Sequence, residues 1–127
     1  MAYTVALIGI GAMGQALLAR LVGAGHTVQG YDVSPKSRAT AEQLGATLKT
    51  SASDAARGAR YVHVFVNSDE QMLEATVSPH GAIAGMSSDA TLILHSTVLP
   101  QTSREISVEA ARHGIRSEEH TSELQSH

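Results

Sequence analysis

The 127-residue chain contains no cysteine and no tryptophan, a single phenylalanine and only three prolines. Without cysteine there can be no disulfide framework and no thiolate metal centre, and an intracellular setting is permitted. With one Phe and three Tyr as its aromatics, any core must be built from Ala, Val, Leu and Ile. No apolar run approaches the ~20 residues of a membrane-spanning helix, so no membrane partner is expected. The start, Met1-Ala2-Tyr3-Thr4, lacks the basic region of a signal peptide and leads directly into a strand-like run, which makes a cytoplasmic location the expectation. Positive charge is also lacking. The net charge is −3, which argues against a polyanion-binding surface, and no aromatic residues interleave with basic ones, so nucleic acid is not an expected partner. What remains is ordinary for a soluble domain: 43% hydrophobic and 17% charged residues, in a length that suits one core.

The composition breaks after Ile115. Arg116 to His127 reads RSEEHTSELQSH, polar throughout but for one Leu. The string resembles the in-frame translation of a common sequencing-library adapter, and on that resemblance residues 116–127 are set outside the fold as a foreign tail. The expected organisation is therefore a dinucleotide-binding domain over residues 1–115, followed by that tail. Without the tail the chain carries eight basic and nine acidic residues, so two of the three net negative charges belong to the last twelve residues.

Along residues 1–115 strands and helices alternate. Thr4 to Ile8 (TVALI) has the β-branched and aliphatic character of a buried parallel strand. Leu17, Leu18, Leu21 and Val22 fall at helical spacing within Ala12 to Ala24, and Gly23 and Gly25 supply the stop. A second strand, Thr27 to Tyr31, ends at Asp32. Ser34-Pro35 is a helix opening, Ser as N-cap and Pro in the first turn, and that helix runs to about Leu44. The pattern continues with a short strand at Ala46 to Leu48, a helix at Ser51 to Arg57, and a strand at Tyr61 to Val66. A helix at Glu70 to Thr76, an unassigned Gly/Ser-containing stretch to Ser88, a strand at Thr91 to Leu94 and a helix at Pro100 to His113 complete it. This order predicts an α/β fold, a doubly wound parallel sheet of the Rossmann type with right-handed crossovers. On this reading it stops before a sixth strand, leaving the fifth as an exposed apolar edge.

One motif carries chemistry. Gly9-Ile10-Gly11-Ala12-Met13-Gly14 is a complete G-x-G-x-x-G between a predicted strand and a predicted helix, and Asp32 closes the next strand 18 residues beyond Gly14. That context makes it a dinucleotide fingerprint rather than a chance run of glycines. Gly9 would permit the strand-to-helix turn, Gly11 would let the backbone approach a pyrophosphate, and Gly14 would allow close helix packing. The free N–H groups and partial positive charge at a helix start attract phosphate. Asp32 would accept from the adenosine ribose hydroxyls. A carboxylate there repels a 2′-phosphate and so favours NAD, although Lys36 and Arg38 lie close enough in sequence to offset that repulsion and leave NADP possible.

The segment VALIGIGAMGQALLARLVGAGHTVQGYDVSP, with its GxGxMG and its AGH, together with HSTVLP at His95 to Pro100, resembles the β-hydroxyacid dehydrogenases. That family includes 3-hydroxyisobutyrate dehydrogenase and the cofactor domain of 6-phosphogluconate dehydrogenase, and the resemblance spans residues 3–115. It implies that Val66, Asn67 and Gln71 line the cofactor site and that Ser96 and Thr97 approach its nicotinamide end. Capping a helix is the plainer reading of Asn67, Ser68, Ser96 and Thr97. His63 reads as a core or helix-facing residue, and His95 is ambiguous. No His, Asp and Glu group has metal-ligand spacing. The resemblance also implies that the Gly-rich substrate segment and the catalytic Lys of the family lie beyond Ile115, so no catalytic residue is assigned.

The expected parent is thus an oxidoreductase passing hydride between NAD(P) and a small 3-hydroxy acid, homo-oligomeric when whole, with the present chain supplying the cofactor half and inactive alone. Two rival readings stand beside it. Imine reductases share GxGxMG and AGH but usually carry Asn-Arg where this chain has Tyr31-Asp32. A stand-alone nucleotide-binding module would perform no chemistry at all.

Overall fold

The computed structural model describes residues 2–119. Thr4–Ile8 forms strand β1, buried at every position after the first, as expected for a strand flanked and covered on both sides. It is followed by α1 (Ala12–Gly23), β2 (Thr27–Tyr31), α2 (Pro35–Gln43), β3 (Thr47–Leu48) and α3 (Ala52–Ala56). The second half comprises β4 (Tyr61–Val64), α4 (Asp69–Thr76), α5 (Ala82–Gly85), β5 (Thr91–Leu94), α6 (Pro100–Arg112) and β6 (Arg116–Glu119). All pairings are parallel and the strand order is β3-β2-β1-β4-β5-β6, the doubly wound arrangement expected from the sequence. No helix among the described residues is long and apolar enough to cross a membrane.

Because the chain moves outward from β1 in both directions, its helices divide between the two faces. On one face Leu18 of α1 and Ala41 of α2 pack on Val5, Leu7 and Val28. On the other, Ala52 and Ala55 of α3, Met72 and Ala75 of α4, Ile83 of α5 and Ile106 and Ala110 of α6 pack on Ala6, Ile8, Val62, Val64, Leu92 and Leu94. The core is aliphatic. Each fully buried Leu, Ile, Val or Met side chain contributes roughly 1.5–3 kcal/mol.

The helix starts follow the capping chemistry of the sequence. Ser34 accepts from the Ser37 amide at α2, Ser51 from Asp54 at α3, and Ser68 from Gln71 at α4. The α3 helix itself begins at Ala52, after its Ser51 cap, and α4 opens one residue earlier than periodicity indicates. Strand β4 ends at Val64 rather than Val66, because beyond that point a side chain takes over from the backbone ladder.

Two features depart from the sequence reading. The unassigned stretch holds a helix, α5, of four residues, too short to show a period. Its Gly85 lies against α3 so closely that a Cβ would stand 1.9 Å from the Ser53 carbonyl oxygen. More consequential, the sheet does not stop at five strands. Arg116–Glu119, set outside the fold on its resemblance to a translated adapter, forms β6 and pairs with β5 from Thr91↔Arg116 to Leu94↔Glu119. Pairing is a backbone property, so a polar segment can form it, and charged residues are what an edge strand ordinarily carries. Buried Ile115, immediately before, anchors the segment to the core. The rest of the expected tail, residues 120–127, lies outside the described residues.

Strand β6 covers the edge of β5. A chain ended after Ile115 is expected to self-associate through that edge, seen as a concentration-dependent sedimentation coefficient that the 127-residue chain lacks. A clean monomer of 115 residues with a cooperative melt would count against this role.

Candidate cofactor-binding site

The crevice of a doubly wound sheet opens at the carboxyl ends of the strands where the chain reverses direction, here between β1 and β4. The turn leaving β1 is held from both sides. The Gly9 amide donates to the Tyr31 carbonyl of β2 at 2.9 Å. A Cβ on Gly9 would lie 1.9 Å from the Phe65 carbonyl, and its φ of +86° is one that side chains avoid. At Gly14 a Cβ would stand 2.9 Å from the Gly9 carbonyl oxygen, so this glycine lets α1 close onto its own turn.

Gly11 differs. Nothing lies within 4 Å of the position its Cβ would take. It is the N-cap of α1, with no side-chain cap and no acidic residue in the first turn. The 12-residue helix therefore starts without a side-chain cap and with room for a group to approach the backbone at Gly11, the condition for binding an anion. Ala12 and Met13 form that first turn, with Met13 66% exposed. Ile10 is buried, and its carbonyl accepts from Gln15 Nε2.

Asp32 ties the turn to β2. Its Oδ2 accepts from the Ile10 amide at 2.6 Å and its Oδ1 from the Ser34 amide at 2.8 Å. Two ionised oxygens offer about four acceptor sites, so capacity remains for a ligand. Arg38 is not a solvated helix residue. Its Nη1 donates to the Lys49 carbonyl at 3.0 Å and the Asp32 carbonyl at 3.4 Å, and its guanidinium lies over the Tyr31 ring at 5.8 Å. Lys36 is exposed on α2.

A cleft of about 490 Å³ opens beside the turn. Gly9, Asp32, Val66, Asn67 and Gln71, all singled out from the sequence, line it. So do Glu70, Glu74, Ser51 and His80, which sequence reasoning did not single out. The available signal was the spacing of Glu70 and Glu74, which puts both on one face of α4. The Gln71 side-chain Oε1 accepts from the Asn67 backbone amide at 2.9 Å, so this side chain also shapes the loop.

Ser96 and Thr97 lie beyond β5 and do not cap α6, whose N-cap is Leu99. The Ser96 hydroxyl accepts from the Val66 amide at 3.0 Å and donates to the Val66 carbonyl. It replaces the ladder partner that β4 loses after Val64 and fixes the loop that lines the cleft. Thr97 is exposed. His63 and His95 meet through Nδ1 and Nε2 at 2.7 Å, and His95 stacks on Phe65 at 4.2 Å. No group of three metal-ligating side chains occurs among the described residues.

A second tie joins the same two loops. The Asp69 carboxylate accepts from the Leu99 amide at 2.9 Å and from the Thr102 hydroxyl, and these bonds hold its pKa below the ordinary aspartate value. A group with a lowered folded-state pKa stabilises fully above its unfolded value, and the contribution fades as pH falls through the folded one. We therefore expect Asp69→Asn to lower the thermal midpoint at pH 7. The difference from wild type should close as both proteins are taken below about pH 4. Equal midpoints at pH 7 would remove Asp69 as a tie.

Comparison with known proteins agrees with this geometry. The family model described as the NAD binding domain of 6-phosphogluconate dehydrogenase matches residues 4–118. The 3-hydroxyisobutyrate dehydrogenase of Pseudomonas aeruginosa is 30% identical over 111 residues, 87% of this chain and 37% of that protein. The structure of Mycobacterium tuberculosis 3-hydroxyisobutyrate dehydrogenase with L-serine superposes with a TM-score of 0.82 at 30% identity, over 92% of this chain and 39% of that one. An imine reductase from Myxococcus stipitatus in complex with NAD+ shares the fold, with a TM-score of 0.83 at 22% identity over 95% of this chain and 40% of that one. The chain thus spans little more than a third of the length of the relatives it matches. It belongs to the family described as the NAD binding domain of 6-phosphogluconate dehydrogenase.

Proposed function

We propose that this chain binds the ADP-ribose half and the pyrophosphate of a nicotinamide dinucleotide, as the cofactor half of an oxidoreductase acting on a small 3-hydroxy acid. The observation that carries the reading is the uncapped start of α1 at Gly11, two residues beyond Gly9, which lines a cleft together with Asp32. The residues present fit the group: a helix start with free amides for the pyrophosphate, and a carboxylate with spare acceptor sites for ribose hydroxyls. Val66, Asn67 and Gln71 supply the opposite wall.

When bound, the nicotinamide supplies a carbon that accepts or releases hydride. This chain's own residues bind and orient the dinucleotide. Gly9 and Asp32 hold the turn that aims the amides, and Ser96 holds the Val66 loop. The 3-hydroxy acid substrate follows from the similarity to 3-hydroxyisobutyrate dehydrogenases. Substrate binding and the handling of the hydroxyl proton are assigned to residues outside this chain, so the chain alone is expected to bind cofactor without turning over substrate.

The glycines give a sharp test, because two of them should fail in different ways. Gly11→Ala places a methyl in open space, so its thermal midpoint should match wild type while NAD+ affinity, read by calorimetry, falls at least tenfold. Gly9→Ala forces a methyl into the Phe65 carbonyl at a strained φ, costing on the order of 1–3 kcal/mol or more, and should lower the midpoint itself. Retained affinity in a stable Gly11→Ala protein would refute the assignment of the pyrophosphate to this turn.

A further inference from the structure

Resting on that cofactor reading, we propose that Glu70 and Glu74 of α4 act with Asp32 to exclude a 2′-phosphorylated dinucleotide, and that Arg38 is no receptor for that phosphate. Specificity would then be set from two walls of the cleft rather than at the end of β2 alone.

The charge lining the cleft supports this. Asp32, Glu70 and Glu74 all border it, and no Lys or Arg does. Among the described residues, His80 is the other lining side chain able to carry charge near neutral pH. Glu70 and Glu74 are exposed, and neither is ion-paired among the described residues, where the ion pairs are those of Glu109. Their negative charge is therefore not cancelled locally. A 2′-phosphate adds about two further negative charges to the ribose that Asp32 is positioned to meet.

The nearby cations do not compensate. Arg38 is the basic residue held against the end of β2, and its Nη1 is committed to the Asp32 and Lys49 carbonyls while its guanidinium lies over Tyr31. Turning its Nη1 toward a phosphate would break both hydrogen bonds and take this donor from the Lys49 and Asp32 carbonyls. Lys36 projects from an exposed position on α2 and does not line the cleft. In water, one carboxylate ~8 Å from a doubly charged phosphate weakens binding by on the order of fivefold before screening, so two removed together are worth about 25-fold unscreened and about tenfold at the low salt of a measurement. The effect must shrink with salt.

The test uses the 127-residue chain and two probes that engage only this half of the cofactor, ADP-ribose and 2′-phospho-ADP-ribose, titrated by calorimetry. Wild type should favour ADP-ribose. In Glu70→Gln/Glu74→Gln, which keeps side-chain size, the affinity ratio of phosphorylated to unphosphorylated probe should rise about tenfold at low salt. Most of that rise should vanish near 0.5 M salt, where the Debye length is about 4 Å. Arg38→Gln should leave the ratio as in wild type. An unmoved ratio in the double variant, a gain that persists at high salt, or selective loss of the phosphorylated probe in Arg38→Gln would each overturn the inference while the cofactor reading stands. Failure of wild type to bind either probe would overturn the cofactor reading and this inference with it.

Discussion

The site depends on one close approach of backbone to backbone. Where β1 gives way to α1, the chain passes between β2 and the end of β4, and only a residue without a side chain fits. Gly9 donates its amide to Tyr31 on one side and presses against the Phe65 carbonyl on the other. That squeeze fixes where the first turn of α1 begins, and with it the uncapped helix start at Gly11. Asp32 then locks the turn from β2 through the Ile10 amide. On the proposed cofactor reading one carboxylate thus has two tasks: holding the loop that would meet the pyrophosphate and receiving the ribose. Any change at Asp32 acts on both.

The remaining wall is held by side chains standing in for sheet. After Val64 the ladder between β4 and β5 ends, and the hydroxyl of Ser96 takes both backbone groups of Val66. Asp69, opening α4, reaches the amide of Leu99 and the hydroxyl of Thr102 at the start of α6. Loops built this way stay where a rigid scaffold puts them, as ligand-binding loops must. They are also short-range in their chemistry, a few hydrogen bonds each, so they can be perturbed without unfolding the two aliphatic cores beneath.

How much was legible beforehand differs between strands, turns and contacts. Strands β1, β2 and β5 lie where their apolar runs placed them, and the glycine motif with Asp32 identified the crevice before any coordinates. Helix α5 was not legible because four residues show no period. Strand β6 was not legible because its residues, Arg-Ser-Glu-Glu, have no strand-like composition; they pair because β5 offers an unpaired edge and Ile115 anchors the segment beside it.

Local order and its punctuation belong to the sequence by itself: apolar period, serine caps, a Pro-led helix start, glycines where the backbone needs φ above zero. These act over a few residues, and so does the chemistry that reads them. The tertiary structure alone decided which distant groups meet. Ile10 and Asp32 are 22 residues apart, and Val66 and Ser96, like Asp69 and Leu99, are 30 apart. Arg38 lies on two carbonyls rather than in water, and Glu70 and Glu74 share a cleft with Asp32, because strand order sets those neighbours. Strand order is a long-range packing outcome, in which each face of the sheet must be covered by helices arriving from both directions. No window of sequence contains it.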